Sequence, residues 1–171
     1  MTSSMRVLIG GIGYLYLRDG SLGPAIVAHL SRETWPPGVL VEDLSYGPVA
    51  VMQRLEDMKP AFDRLVLVGA VRRGRPPGAI TVYRWSGPLP DETEIQARVG
   101  EAVTGVISLD NLLIVAGFFD TLPREVLVVE VEPQDEGWGE GFSPVIEALR
   151  SEVFGLVRQL ACEDDMEVAR A

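Results

Sequence analysis

Histidine, cysteine and lysine are nearly missing from this chain of 171 residues, which has one of each: His29, Cys162 and Lys59. A lone cysteine makes no internal disulfide. Cys162 falls in an apolar-periodic C-terminal segment, where an inert packed thiol is expected rather than a nucleophile. His29 lies inside the first helical segment and reads as a surface residue of it. With one histidine so placed, no Ser-His-Asp, Cys-His or zinc-finger arrangement can be assembled. Positive charge is also short: 15 basic residues against 25 acidic ones give a net charge of −10 and a pI near 4.6. Phosphate neutralisation needs clustered Lys and Arg, so a nucleic-acid partner is excluded. The one local basic cluster, Arg72, Arg73 and Arg75, reads as a solvated hairpin. No apolar run reaches the ~18 residues of a membrane span, and no N-terminal stretch has signal-peptide form. The expectation is a cytoplasmic protein with no membrane partner.

What is present is core. Hydrophobic residues make up 47% of the chain and charged residues 23%, ordinary for a folded domain and too apolar for a disordered one. One α/β domain is expected over residues 1–162, with 163–171 as a flexible tail. Short apolar runs bounded by turn residues read as strands at Arg6 to Gly11, Val39 to Leu44, Leu65 to Val71, Ala79 to Trp85 and Glu125 to Glu132. Helical patterns fall between them, from Pro24, over Pro48 to Met58, over Pro90 to Ala102, and over Ser108 to Leu122. The last helix is the clearest: Ser143 is placed to cap it, Pro144 suits its first turn, and Val145, Ile146, Leu149, Val153, Leu156, Val157 and Leu160 form one stripe.

Strands alternating with helices predict a three-layer α/β/α architecture: a twisted, mostly parallel five-stranded sheet with helices on both faces. The link from Arg72 to Gly78 is too brief for a helical crossover, so the third and fourth strands are expected to pair as a hairpin. Ligands of such sheets sit at the carboxyl ends of the strands, which gathers Tyr14 to Gly20, Leu44 to Tyr46 and Gly69 to Val71. The acidic, Gly-rich loop from Pro133 to Phe142 carries Trp138, which either anchors a partner or covers a neighbouring helix.

Gly11-Ile12-Gly13 between a strand and a helix first suggests a phosphate cradle. The spacing excludes it: a dinucleotide fingerprint needs Gly where Tyr16 stands, and no Gly-Lys-Ser/Thr follows. The stretch from Gly11 through Leu15, Leu17, Asp19, Gly20 and Gly23-Pro24 resembles instead the N-terminal motif of the nickel-iron hydrogenase maturation endopeptidases. Glu42-Asp43-Leu44-Ser45-Tyr46-Gly47 is similar to that family's Asp-Gly-Gly-Thr turn. Leu65 to Val71 with Gly74 and Pro76-Pro77-Gly78 is similar to its third-strand block. Ser108-Leu109-Asp110-Asn111-Leu112 resembles its Ser/Thr-x-His segment, and Phe142-Ser143-Pro144-Val145 its last-helix entry.

The resemblance implies an endopeptidase that removes a C-terminal extension from a hydrogenase large subunit after nickel insertion. It also implies recognition through three metal-contacting side chains: an acidic residue in the first loop, an Asp at the end of the third strand and a His after the fourth. Carried over, the first position falls on Gly20, or on Asp19 after a one-residue slip. The second falls on Gly69 and the third on Asp110, while Tyr14 stands where the family has Asn. Asp19 and Asp110 are the tentative metal contacts, with Asp43 and Tyr14 as possible support. Each has a plainer alternative: a turn or helix cap for Asp19, a helix N-terminal carboxylate for Asp110, a loop-holding role for Asp43.

Two functional readings stand side by side. One is a maturation protease using Asp19 and Asp110 with an altered metal preference, since oxygen ligands favour harder cations. The other is a non-catalytic pseudoprotease acting as a binding or chaperone module in hydrogenase or metalloenzyme maturation. In either, the partner is a hydrogenase large subunit or maturation factor, no cofactor is firmly bound, and any nickel is the substrate's.

Overall fold

Each apolar run becomes a strand, and the helices between them carry the chain back across the sheet. The computed structural model describes residues 4–164 and 166–170. The strands are β1 (Val7–Ile12), β2 (Val39–Asp43), β3 (Arg64–Ala70), β4 (Ile80–Arg84), β5 (Glu125–Val131) and a two-residue β6 (Ala169–Arg170), in the order β2-β1-β3-β5-β4-β6. All neighbours are parallel except β4 against β5. The expected mostly parallel α/β sheet is thus found. β6 adds to it from within the stretch expected as tail, of which Asp165 and Ala171 lie outside the described residues.

Strand alternation sorts the core into two layers. Val7 and Ile9 of β1, Val66 and Val68 of β3, and Leu127, Val129 and Val131 of β5 face α1 (Leu22–Leu30) and α5 (Pro144–Cys162). Leu8, Leu65, Leu67, Val126 and Val128 face α2 (Pro48–Asp57) and α4 (Leu109–Phe118), with α3 (Glu92–Val103) packed outside them. Both faces are covered, which is why the central strands read as continuous apolar runs. The buried Arg64 closes one end of this stack by donating to the Leu160 and Glu163 carbonyls, 2.8 Å each, at the C-terminus of α5.

Three local expectations are corrected. β3 and β4 do not form a hairpin, because β5 lies between them. The connecting loop arches over the end of β5, where Val71 N–H donates to Val131 O at 3.0 Å and Gly78 N–H to Glu132 O at 2.8 Å. The reach is modest, since neighbouring strands are only about 4.8 Å apart. Cys162 is exposed rather than packed, one position past the buried pair Leu160 and Ala161, because each helical residue turns the side chain by about 100°. Ser143 precedes α5 without a side-chain cap bond to the helix; its hydroxyl is used elsewhere.

The glycines of the first loop serve close packing. A Cβ at Gly11 would sit 2.3 Å from Gly23 O, and one at Gly23 would sit 2.3 Å from Ile12 O. β1 and the start of α1 therefore meet backbone to backbone, which only glycine permits. Gly11→Ala should cost about 3 kcal/mol in urea unfolding, an overpacking that the sheet cannot relieve. Gly100→Ala, in α3 with nothing near its Cβ position, should gain about 0.5–1 kcal/mol in the same measurement.

Candidate functional site

The carboxyl ends of β1 and β3 open into a cavity of about 220 Å³ lined by Gly13, Tyr14, Gly20, Ala70, Arg72, Asp110 and Glu136, among others. The strand ends do meet as the sheet topology predicts: Ile12 is in register with Gly69, and Gly13 N–H donates to Ser45 Oγ at 3.1 Å. Gly20 and Asp110 share this cavity. Asp19 does not line it.

Asp19 is wholly buried, and its carboxylate is fully engaged. The N–H groups of Gln134 and Asp135 donate to Oδ2 at 2.9 Å each, Ser143 N–H donates to Oδ1 at 2.8 Å, and the Ser143 hydroxyl donates to Oδ2 at 2.7 Å. Burial alone would raise this carboxyl's pKa, but the four donors outweigh it and hold it below the usual range. The geometry gives Asp19 the work of tying the first loop to the β5–α5 loop and to the start of α5.

At the second family position, Gly69 presents only hydrogen, and a Cβ there would lie 2.7 Å from Ile12 O and 3.3 Å from Leu109 Cδ1. The carboxylate in that row belongs to the adjacent strand, since Gly69 pairs in register with Glu130 of β5. Glu130 is buried and points to the same face. It accepts Tyr83 OH at 2.7 Å, Arg73 Nη2 at 2.7 Å and Arg75 Nη1 at 3.3 Å. Burial, then the bond to Glu130, raises the Tyr83 pKa, which keeps the phenol a donor.

Arg73 is the hub. Its Nη1 and Nη2 grip Asp110 at 2.8 and 2.7 Å while Nη2 and Nε hold Glu130. Its backbone N–H donates to Glu132 Oε2 at 2.7 Å. Asp110 first, then Glu130, raises the Arg73 pKa, so the guanidinium is a permanent cation. Arg73 and Arg75 are exposed, as expected, but they are ion-paired to the buried Glu130, and the loop that carries them is not a hairpin. Arg72 is exposed as well, and its Nε donates to Glu136 at 3.1 Å.

Three further carboxylates escape the motif comparison. Glu136 comes from the acidic loop, and its Oε1 lies 3.6 Å from where a Gly20 Cβ would be, so a carboxylate from another loop stands beside the substituted position. Glu130 and Glu132 had a signal in sequence: two glutamates spaced by two at the end of an otherwise apolar strand must share a face. Asp43 holds its own loop, accepting Ser45 N–H at 2.9 Å, and the Tyr14 hydroxyl accepts Ile107 N–H at 2.7 Å. His29 stays on the surface of α1, stacked 3.9 Å over Phe154. The donor set does not fit a three-ligand metal site: Gly20 and Gly69 supply no side chain, Asp19 is consumed, and Asp110 is chelated by Arg73. Among the described residues no group of three or more His, Cys, Asp or Glu is arranged to hold an ion, and no helix is long and apolar enough to cross a membrane.

Three substitutions read these roles. Asp19→Asn should lower stability by about 3 kcal/mol at pH 7, because an amide meets the same N–H donors with a donor of its own. The lowered pKa gives this contribution in full above the ordinary carboxyl value of ~3.9 and removes it as pH falls through the folded-state value. Urea midpoints measured from pH 6 to 2.5 should therefore converge for the wild type and Asp19→Asn. Arg73→Met should cost about 3–5 kcal/mol in the same assay at pH 7 by leaving buried Glu130 without its main counter-charge, while Arg72→Ala should stay within about 1 kcal/mol.

No family model matches the chain. It is 29% identical over 136 residues to the hydrogenase expression/formation protein HupM of Azotobacter chroococcum mcd 1, a match covering 78% of this chain and 60% of that protein. Among solved structures, the hydrogenase 2 maturation peptidase from Thaumarchaeota archaeon SCGC_AB-539-E09 aligns over 93% of this chain and 99% of its own at 23% identity and a TM-score of 0.66. The NiFe hydrogenase maturation protease HycI from Thermococcus kodakarensis KOD1 aligns over 95% and 96% at 20% identity and a TM-score of 0.69. The hydrogenase maturating endopeptidase HybD from E. coli aligns over 90% of each chain at 22% identity and a TM-score of 0.66. Over at least 90% of its length the chain has the fold of the hydrogenase maturation proteases.

Proposed function

We propose that this chain serves hydrogenase maturation in the cytoplasm as a binding module, a pseudoprotease that docks a hydrogenase large subunit or a maturation factor and does not trim it. One observation carries the reading: Asp110, at the position the resemblance assigns to the third ligand, is held bidentately by Arg73 in a cleft where Gly20 brings no side chain, and Gly69 in the neighbouring strand brings none either. A metal-assisted hydrolase needs an ion to polarise the scissile carbonyl and activate water. Here a guanidinium already neutralises the carboxylates that would hold or read such an ion. Nickel, where it is met, arrives with the partner.

The protease reading keeps one observation of its own, the Glu136 carboxylate beside Gly20. That carboxylate is paired to Arg72. Incubation of the chain with a nickel-loaded large-subunit precursor separates the readings. The expected result is co-purification of the two proteins with the precursor mass unchanged. Loss of the C-terminal extension with wild type, abolished in Asp110→Ala, would overturn the binding-module reading.

A further inference from the structure

Beside the cleft, the chain turns large apolar side chains outward. Trp138 is 81% exposed, Leu15 65%, Tyr16 51% and Tyr46 47%. Tyr14, Leu15 and Tyr46 line one shallow cavity of about 340 Å³, and the Tyr16 ring lies 6.1 Å from that of Trp138. The two groups adjoin at the consecutive residues Leu15 and Tyr16, so the set spans the β2–α2 loop, the first loop and the β5–α5 loop. Isolated exposed apolar residues need no explanation, but a contiguous set of this size marks an interaction site.

The loops that carry the patch are held in place. Gly139 N–H donates to Tyr16 O at 2.7 Å, Arg18 N–H donates to Gly139 O at 3.2 Å, and the Arg18 guanidinium reaches Glu140 O at 3.2 Å. The Asp19 carboxylate pins the same two loops one residue further on. Tyr16 and Arg18 adopt positive φ, +65° and +44°, without being glycine. Such strain persists only where the surroundings over-determine it, and it collects at functional surfaces. The aromatic side chains are thus displayed on a rigid frame, which lowers the ordering cost of binding.

Charge selects the kind of partner. Arg18 is paired with Asp135 and Arg72 with Glu136, whereas Asp43 and Glu140 at the rim have no ion-pair partner among the described residues. The rim is therefore acidic on a chain of net charge −10. A second copy of the chain would bring the same acidic rim against it, which disfavours self-association.

We infer that Tyr14, Leu15, Tyr16, Tyr46 and Trp138 form the docking surface for a protein partner that presents an apolar segment flanked by Lys or Arg. This deepens the maturation reading and rests on it, the partner being the hydrogenase precursor. Aromatic anchors in such a surface carry most of the affinity, and rim charges tune the salt dependence. The probe is a nickel-loaded large-subunit precursor titrated against the full chain, with circular dichroism confirming that each variant is folded.

Trp138→Ala and Leu15→Ala should each weaken binding about 30-fold. Asp43→Asn with Glu140→Gln should weaken it less and flatten its dependence on salt between about 50 and 500 mM. Phe119→Ala, in the exposed Phe118–Phe119 pair at the end of α4, should change it less than about twofold. Wild-type binding unaltered in both Trp138→Ala and Leu15→Ala would overturn the surface while leaving the maturation reading standing. A wild-type chain that binds no precursor would overturn the maturation reading and the partner with it. A concentration-dependent dimer in sedimentation, lost in Trp138→Ala, would overturn the assignment in favour of a second copy.

Discussion

The buried carboxylate of Asp19 is the constraint on which the functional end of the molecule depends. It lies in the turn between β1 and α1, yet all four of its donors come from residues 134–143. A charge removed from water is costly unless it is fully hydrogen-bonded, and here the bonds are supplied by backbone N–H groups that would otherwise need partners themselves. Two irregular loops, more than a hundred residues apart in sequence, are thereby fixed against one another. The cleft wall at Gly20 and Glu136 and the Tyr16–Trp138 pair both follow from that one placement.

The second constraint is how the site manages its own negative charge. Asp110 and Glu130 converge on one guanidinium, which meets each through two nitrogens in the planar geometry that Arg alone provides. In the row of Gly69, which the resemblance assigns as a ligand position, the carboxylate belongs to the adjacent strand, as Glu130. A loop arginine, Arg73, stands between these two carboxylates. The arrangement is electrostatically complete as it stands, and it is paid for by burying Glu130 beside Tyr83 and two arginines. An ion entering would have to displace Arg73 from two partners.

How much of this was legible in sequence depends on whether the information was local. The strands from Val7, Leu65 and Glu125 are apolar runs because helices cover both faces, so their pattern names them directly. The pairing of β4 with β5 rather than β3 is invisible locally, since the short loop from Val71 to Ala79 fits a hairpin and a hop over one strand equally well. Gly20, Gly69 and Asp110 could be placed by motif order, and the first and last share the cleft. Asp19 was harder: an Asp-Gly turn reads the same whether its carboxylate faces solvent, an ion or a distant loop. Arg73 followed the same rule, for its composition suggested a solvated cluster and only the fold supplied Glu130 and Asp110.

The cleft and the exposed apolar set adjoin one another, with Tyr14 lining both the cleft and the shallow cavity beside it. The ligand positions lie at the strand ends, where Gly69 is locked by backbone contacts and Asp110 by Arg73. Tyr16 and Trp138 lie outside the cleft lining, on the two loops that the Asp19 bonds and the Gly139 bridge hold together. Affinity drawn from apolar anchors on a rigid frame needs no ion in the adjacent cleft. The glycines of the first loop then make sense without any phosphate or metal chemistry: they let β1 and α1 approach closely enough to aim the loop outward. In this chain the loop keeps its shape because the shape itself presents Tyr14, Leu15 and Tyr16.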